Sequence, residues 1–208
     1  MKLLLIRHGQ DEDNAKGILN GRRNTALTKF GIRQASAAAQ ELKKYDIDII
    51  YASPLARAYQ TAQIISNIIA VDTVIVDQHL IERDFGILAG KPVADIPRYA
   101  DKIIVADKIN YFLKVDGAET FPELYDRAWR ILVDIQSRHS DNTILMVTHG
   151  DIGKMIRGVF YGLDWKESLQ APYFDNAEII ELSNKVNLKT KFIKFIENKV
   201  LKRRHRHG

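Results

Sequence analysis

Cysteine is absent from all 208 residues, so disulfides, cysteine-based zinc sites and thiol catalysis are excluded at the outset. The absence is compatible with a cytoplasmic chain. Long apolar runs are missing too: no stretch approaches the ~20 residues that a membrane span needs. The opening run Met1-Lys2-Leu3-Leu4-Leu5-Ile6 meets Arg7 and His8 too soon for a secretory signal core. Repeats, low-complexity tracts and Gly/Ser-rich linkers are also lacking. Hydrophobic residues at 46% and charged residues at 27% are ordinary for a globular chain, and the length suits one domain, expected over residues 1–200.

Evenly spread basic charge is a further absence. The net charge is +5 and the pI about 9.3, but Lys202, Arg203, Arg204 and Arg206 lie within the last eight residues, leaving residues 1–200 at +1. Residues 201–208 are expected to be a solvated, disordered tail. A near-neutral body points away from nucleic-acid and membrane partners.

What is present is an alternation of apolar runs and helical patterns, which implies βαβ units and a mainly parallel sheet. Strands are expected at residues 2–6, 47–51, 73–76, 143–147 and 178–182, with a further one at 189–196. Thr28 heads a helix to about Tyr45, with Ile32, Ala35, Ala39 and Leu42 on one face. Ser53-Pro54 predicts an N-cap followed by proline at the first helical position. Its helix carries Leu55, Ala58, Ala62, Ile65 and Ile69 on one face. Thr120-Phe121-Pro122-Glu123 is a capping-box pattern ahead of Leu124, Ala128, Ile131 and Ile135. A short helix is expected over residues 151–161. Residues 92–118 have no clear period and predict an irregular or partly helical excursion, the natural lid or specificity element. The architecture expected is a three-layer α/β/α sandwich.

Three strands run into polar residues of one kind: Arg7-His8-Gly9, Ser53-Pro54-Leu55-Ala56-Arg57, and Thr148-His149-Gly150. Open parallel sheets bind ligands beyond the carboxyl ends of their strands. Two arginines and two histidines would thus meet at one sheet edge, helped by the N-termini of the helices that follow. A site so positive suits a phosphate dianion, which arginine holds with paired hydrogen bonds. Singly, each residue has a plainer explanation, and only the coincidence of four carries weight. The trio Asp11-Glu12-Asp13 is expected to be a solvated acidic loop rather than a metal cage.

With these residues in view, the chain resembles the histidine phosphatase superfamily, also called phosphoglycerate mutase-like. Arg7-His8-Gly9 with Asn14 is similar to the opening motif. Gly21, Leu27-Thr28, Gly31 and Gln34-Ala35 are similar to the next block. Ser53-Pro54-Leu55, Arg57-Ala58 and Gln60-Thr61-Ala62 resemble the second arginine block, and Glu82, Phe85-Gly86 and Gly90-Lys91 the acid-bearing block. Gly117-Ala118-Glu119-Thr120 and Val147-Thr148-His149-Gly150 complete the series, in order, over roughly residues 2–180.

The resemblance implies a metal-independent phosphatase without cofactor. In it His8 is the nucleophile and Glu82 the general acid and base. Arg7, Arg57 and a protonated His149 bind the phosphoryl oxygens, and Asn14 donates a further hydrogen bond. Asn20, Gly21, Arg22 and Gly150 are the remaining phosphate- or substrate-binding candidates. Two departures stand out: Gln10-Asp11 where relatives carry Glu-Thr or Glu-Ser, and Ile18 where many carry Arg. The segment between Glu82 and Gly117 lacks the long arginine-bearing insertion of the mutases, which favours hydrolysis of a small phosphorylated metabolite over phosphoglycerate mutation. A catalytically silent phosphate-binding module is the reading from another class. The oligomeric state is open, a homodimer included.

Overall fold

The computed structural model describes residues 1–107 and 109–183. The strand expected at 189–196 and the basic tail lie outside the described residues. Elements follow in the order β1 (Lys2–Arg7), α1 (Glu12–Ala15), α2 (Lys29–Leu42), β2 (Ile49–Ala52), α3 (Ala56–Ile69), β3 (Val74–Val76), α4 (Ile96–Tyr99), β4 (Ile103–Ala106), β5 (Ile109–Phe112), α5 (Phe121–Arg138), β6 (Thr143–Thr148), α6 (Gly150–Tyr161), α7 (Trp165–Gln170) and β7 (Ile179–Leu182).

The main sheet has the order β3-β2-β6-β1-β7. Its first four members run parallel, and β7 lies antiparallel on β1. Side chains alternate across a strand, and here both faces are apolar. Leu3, Leu5, Ile144 and Met146 pack with α5 and α6, through Ile131, Ile135, Ile152 and Met155. Leu4, Ile6, Leu145 and Val147 pack on the opposite face with α2 and α3, through Ala38, Ala39, Leu42, Ala58, Ala62 and Ile65. Helices on both faces of a mainly parallel sheet make the three-layer sandwich.

The helices largely follow their sequence signals. The Thr28 hydroxyl accepts from the Gly31 amide at the start of α2, and Thr120 forms a full capping box with Glu123. The apolar face of α2 is set one step away from the expected one: Gly31, Ala35, Ala38, Ala39 and Leu42 are buried, while Ile32 is exposed. Gly31 turns inward because it meets the backbone of Gln10, where any Cβ would clash. Ser53 is not the cap of α3. Leu55 holds that position with no side-chain cap bond, and the Ser53 hydroxyl is drawn instead into the site described below.

The segment 92–118 is more regular than its sequence predicts. It contains α4 and a separate antiparallel hairpin, β4 with β5, in which Ile103 pairs with Phe112 and Ala106 with Ile109. Asp107 turns the chain at φ 48°. Phe85, Leu88, Ile96, Phe112 and Val115 form a small core of their own under this excursion. A buried Lys154 on α6 fastens the hairpin to the body: its ammonium donates to the Tyr111 hydroxyl at 2.9 Å and to the carbonyls of Leu169 and Ala171.

Candidate active site

Strand register determines what meets at the sheet edge. Arg7 lies opposite Thr148 on β6, and Ala52 opposite Val147, so His8, Ser53 and His149 emerge side by side. The His8 amide donates to the Thr148 carbonyl and the Ser53 amide to the Val147 carbonyl. The imidazoles of His8 and His149 have ring centroids 5.0 Å apart and planes inclined by 58°. Both rings are buried.

The hydrogen bonds of His8 assign its tautomer. Nδ1 lies 2.7 Å from the Gly9 carbonyl, which can only accept, so Nδ1 carries the proton. Nε2 is then the lone-pair nitrogen, and it accepts from Nε–H of Arg57 at 3.2 Å. His149 is fixed in the same way. Its Nε2 lies 2.7 Å from the Ser53 hydroxyl, which accepts from the Leu55 amide; with that hydroxyl donating to Nε2, the ring proton sits on Nδ1. Nδ1 of His149 then bears a proton with no protein acceptor. Burial, and after it the positive charge of Arg57, holds both imidazoles well below their usual pKa. Both causes favour the neutral form of His149 over the protonated form that the resemblance implies.

Arg7 leans over the Tyr173 ring at 5.0 Å. One of its Nη groups reaches the Phe174 carbonyl, while its buried Nε has no partner. Arg57 is wholly buried. Its two Nη groups donate to the carbonyls of Arg23 and Gly21, each at 2.7 Å, and its Nε is shared between His8 and Oδ2 of Asp11, 3.1 Å away. Gly21 meets this demand at φ 50°, and a Cβ there would strike the Phe85 ring.

Glu82 is buried against the start of α6. Its carboxylate accepts from the amides of Arg83, Asp151 and Ile152 at 2.8, 3.2 and 3.2 Å. Burial raises its pKa, the neighbouring Asp151 adds to the rise, and the backbone donors oppose it. Gly150, the first residue of α6, has the Tyr173 hydroxyl where a Cβ would sit.

A cavity of about 400 Å³ opens beside these groups, with Arg7, His8, Asn14, Asn20, Glu82 and Tyr173 on its wall. Asn14 is held by Asn176, whose side-chain amide donates to Asn14 Oδ1 and to the His8 carbonyl. Arg57 and His149 lie against the His8 imidazole, Arg57 at its Nε2 and His149 with its ring centroid 5.0 Å away. Arg22 lies apart from the cavity. It pairs with Asp84 at 3.3 Å and Glu119 at 3.2 Å.

The acidic trio is not a solvated loop. Asp11 caps α1 through the Asn14 amide and accepts from the Asn20 side chain. Asp11 and Asp13 are buried, and only Glu12 is exposed. Their positive partners, Arg57 for Asp11 and Arg23 for Asp13, offset the cost of burying charge. Asp11, Ser53, Arg83, Tyr173 and Asn176 are site residues that the sequence alone does not single out. A carboxylate three residues after His8, and a serine one residue after a strand, were the available signals.

The comparisons agree with this geometry. A profile of the histidine phosphatase superfamily (branch 1) matches residues 3–189. Phosphoserine phosphatase 1 of Hydrogenobacter thermophilus is 31% identical over 150 residues, which cover 72% of this chain and 71% of that one. A 2,3-bisphosphoglycerate-dependent phosphoglycerate mutase of Thermoplasma acidophilum is 37% identical over 149 residues, 71% and 70% of the two chains. Among solved structures, the phosphoserine phosphatase of Entamoeba histolytica in complex with 3-phosphoglyceric acid superposes with a TM-score of 0.68 at 26% identity, covering 86% of this chain and 89% of that one. The chain belongs to the histidine phosphatase superfamily, branch 1, as an enzyme of phosphatase type.

Proposed function

We propose that the chain hydrolyses the phosphate monoester of a small metabolite, without a metal ion, through a phosphohistidine on His8. One observation carries the reading: two buried donors of the site, Nε of Arg7 and Nδ1 of His149, have no protein partner. A buried donor left unmade costs about 1–3 kcal/mol, and these two flank an imidazole whose Nε2 lone pair is a nucleophile once Arg57 releases it. A phosphoryl group satisfies both.

In the first step the Nε2 lone pair of His8 attacks phosphorus, and the bond from phosphorus to the ester oxygen breaks in line with it. Attack requires Arg57 to release its hydrogen bond to Nε2, and Oδ2 of Asp11 is placed to take over that Nε–H. Arg7, Asn14 and His149 hold the phosphoryl oxygens and stabilise the charge that spreads over them. Glu82, whose pKa burial raises, gives its proton to the departing alkoxide. In the second step the Glu82 carboxylate takes a proton from water, the water oxygen attacks phosphorus, and the N–P bond returns its electrons to His8.

The test is turnover of p-nitrophenyl phosphate in EDTA, with rapid acid-labile, base-stable labelling of the protein by a ³²P-ester. Labelling of the wild type and its loss in His8→Ala is the expected result. Equal turnover by His8→Ala removes His8 from the mechanism. Interconversion of 2- and 3-phosphoglycerate, stimulated by the bisphosphate, would assign the mutase reaction instead. Phosphate binding with no label at all would assign a silent binding module. The same reading places a small phosphorylated substrate and a cytoplasmic setting beside the activity; among the described residues no helix is long and apolar enough to cross a membrane.

A further inference from the structure

The cavity has two unlike ends. One is the polar cluster of His8, Arg7, Asn14 and Glu82. The other is a wall of Leu19, Phe85, Val93, Ile96, Ile109 and Phe112. That wall is the inner surface of the small core beneath the excursion: Phe85, Ile96 and Phe112 are buried members of it, and Leu19 packs against it. Two antiparallel bridges, Ile18 to Pro92 and Phe85 to Ala118, hold the wall closed.

Charge at this end has a definite sign. Of the described residues lining the cavity, the cations are Arg7 and Arg83. Arg7 belongs to the polar end. Arg83 is 1% exposed and already committed. Its Nε donates to Asp151 at 2.7 Å, its Nη1 reaches the Phe112 carbonyl, and its guanidinium carbon lies 3.9 Å from the Phe112 ring centre and 4.2 Å from that of Phe121. The ionisable carboxyl groups lining the cavity, those of Glu82, Asp151 and Asp175, are acidic. An alkyl or aryl group entering here exchanges water for apolar contact. A carboxylate entering here loses water and finds neutral amides and hydroxyls, those of Asn20, Asn110 and Tyr111, but no uncommitted cation among the described residues.

We propose that this site takes phosphomonoesters whose leaving group is an uncharged, predominantly apolar alcohol, and discriminates against leaving groups that bear a carboxylate. The proposal rests on the phosphatase reading above and names its substrate class. A leaving group that bears a carboxylate would gain most from a cation facing it. Within the described residues, no uncommitted cation lines the wall to provide one.

The test uses the full chain and a homologous series. Ethyl, butyl and hexyl phosphate have leaving groups of similar basicity, so a change along the series reports contact with the wall rather than chemistry. The expected result is a rise in kcat/KM of about threefold to fourfold per methylene, with butyl and hexyl phosphate at least ~10-fold above phosphoserine and 3-phosphoglycerate. A flat series, or a preference for either carboxylate substrate, overturns the proposal. Val93→Lys places a cation at the mouth on a side chain that is 44% exposed, so folding is not at stake. It is expected to lower the hexyl phosphate rate and raise that of phosphoserine; no change in their ratio counts against the proposal. A second measurement separates this proposal from the catalytic one. Calorimetry on His8→Ala compares hexylphosphonate with 3-phosphonopropionate. If no ester is turned over, the catalytic reading fails, and the calorimetric order still decides the substrate class. Tighter hexylphosphonate supports it, and tighter phosphonopropionate overturns it.

Discussion

The sheet edge and the excursion are built on different principles, though they share one cavity. His8, Ser53 and His149 project from strands that are hydrogen-bonded on both sides and buried on both faces. His149 has one nitrogen held by Ser53 and the other without a protein partner, while His8 is held at Nδ1 by a carbonyl and at Nε2 by Arg57. The excursion has strands of four residues, a core of its own, and large apolar side chains left partly in water, Val93, Tyr99 and Val105 being 44%, 40% and 67% exposed. Groups that must be held to a fraction of an ångström belong on rigid elements. A surface that recognises the rest of a substrate tolerates, and benefits from, a more independent piece of chain. The proposed division of labour follows this contrast: reaction at the edge, selection at the excursion.

The sharpest way to break that division is at His8. His8→Ala is expected to reduce kcat by ~10³-fold or more on every ester, while leaving the order of affinity along the alkyl phosphonate series intact. Calorimetry beside steady-state kinetics reads both. A reversal of the affinity order in this variant would show that the edge also selects.

Glu82→Gln is the next largest. Loss of a general acid costs about 10²–10⁴-fold on alkyl esters, whose alkoxide needs a proton, and much less on p-nitrophenyl phosphate, whose leaving group does not. The pH profile carries the sign. Burial raises the Glu82 pKa, so its acid form persists to higher pH, and kcat falls as pH rises through that raised value. His8 must be neutral, and its depressed pKa pushes the acid limb downward. The alkaline limb is expected to lie above the ordinary glutamate range and to be absent in Glu82→Gln.

Arg83 joins the two regions. It follows Glu82 in sequence, pairs with Asp151 on α6 and lies among the rings of Phe85, Phe112 and Phe121. Arg83→Met leaves the buried Asp151 carboxylate without its partner, and a loss of about 3–5 kcal/mol is expected from denaturant titration. Arg83→Met with Asp151→Leu should recover most of it. If the single variant is as stable as the wild type, the pair is not what ties the excursion to the body.

These contrasts explain what could be seen in the sequence. The apolar runs at 2–6 and 143–147 are buried on both faces, so they stand out without alternation. The histidines and Arg57 follow strand ends directly, and topology alone brings them to one edge. The hairpin in the excursion leaves little trace in the sequence because its strands are four residues long and its turn, at Asp107, lacks the Asn-Gly or Asp-Gly signature. Nothing near Asp11 in sequence signals burial; its cation, Arg57, is distant in sequence and arrives only through the fold. Ser53 shows a local signal losing to a tertiary one. Ser-Pro predicts a helix cap, but a hydroxyl that can hold His149 in one tautomer is drawn to that imidazole instead.

The smallest effect concerns stability below neutrality and again separates the two regions. His8 and His149 have folded pKa values depressed from about 6.5. A depressed pKa means that the unfolded chain binds protons first as pH falls. The stability that these neutral imidazoles contribute is therefore complete above about 6.5 and is lost as pH drops below it, at up to ~1.4 kcal/mol per pH unit for each ring. The excursion contributes no such dependence, because its core is apolar. Thermal melts from pH 7.5 to 5 should show a steady fall in Tm for the wild type and a shallower one for His149→Asn, while Thr120→Ala, which removes the cap of α5 at about 1 kcal/mol, should lower Tm equally at every pH. A slope unchanged by His149→Asn would mean that the acid sensitivity arises elsewhere than at the sheet edge.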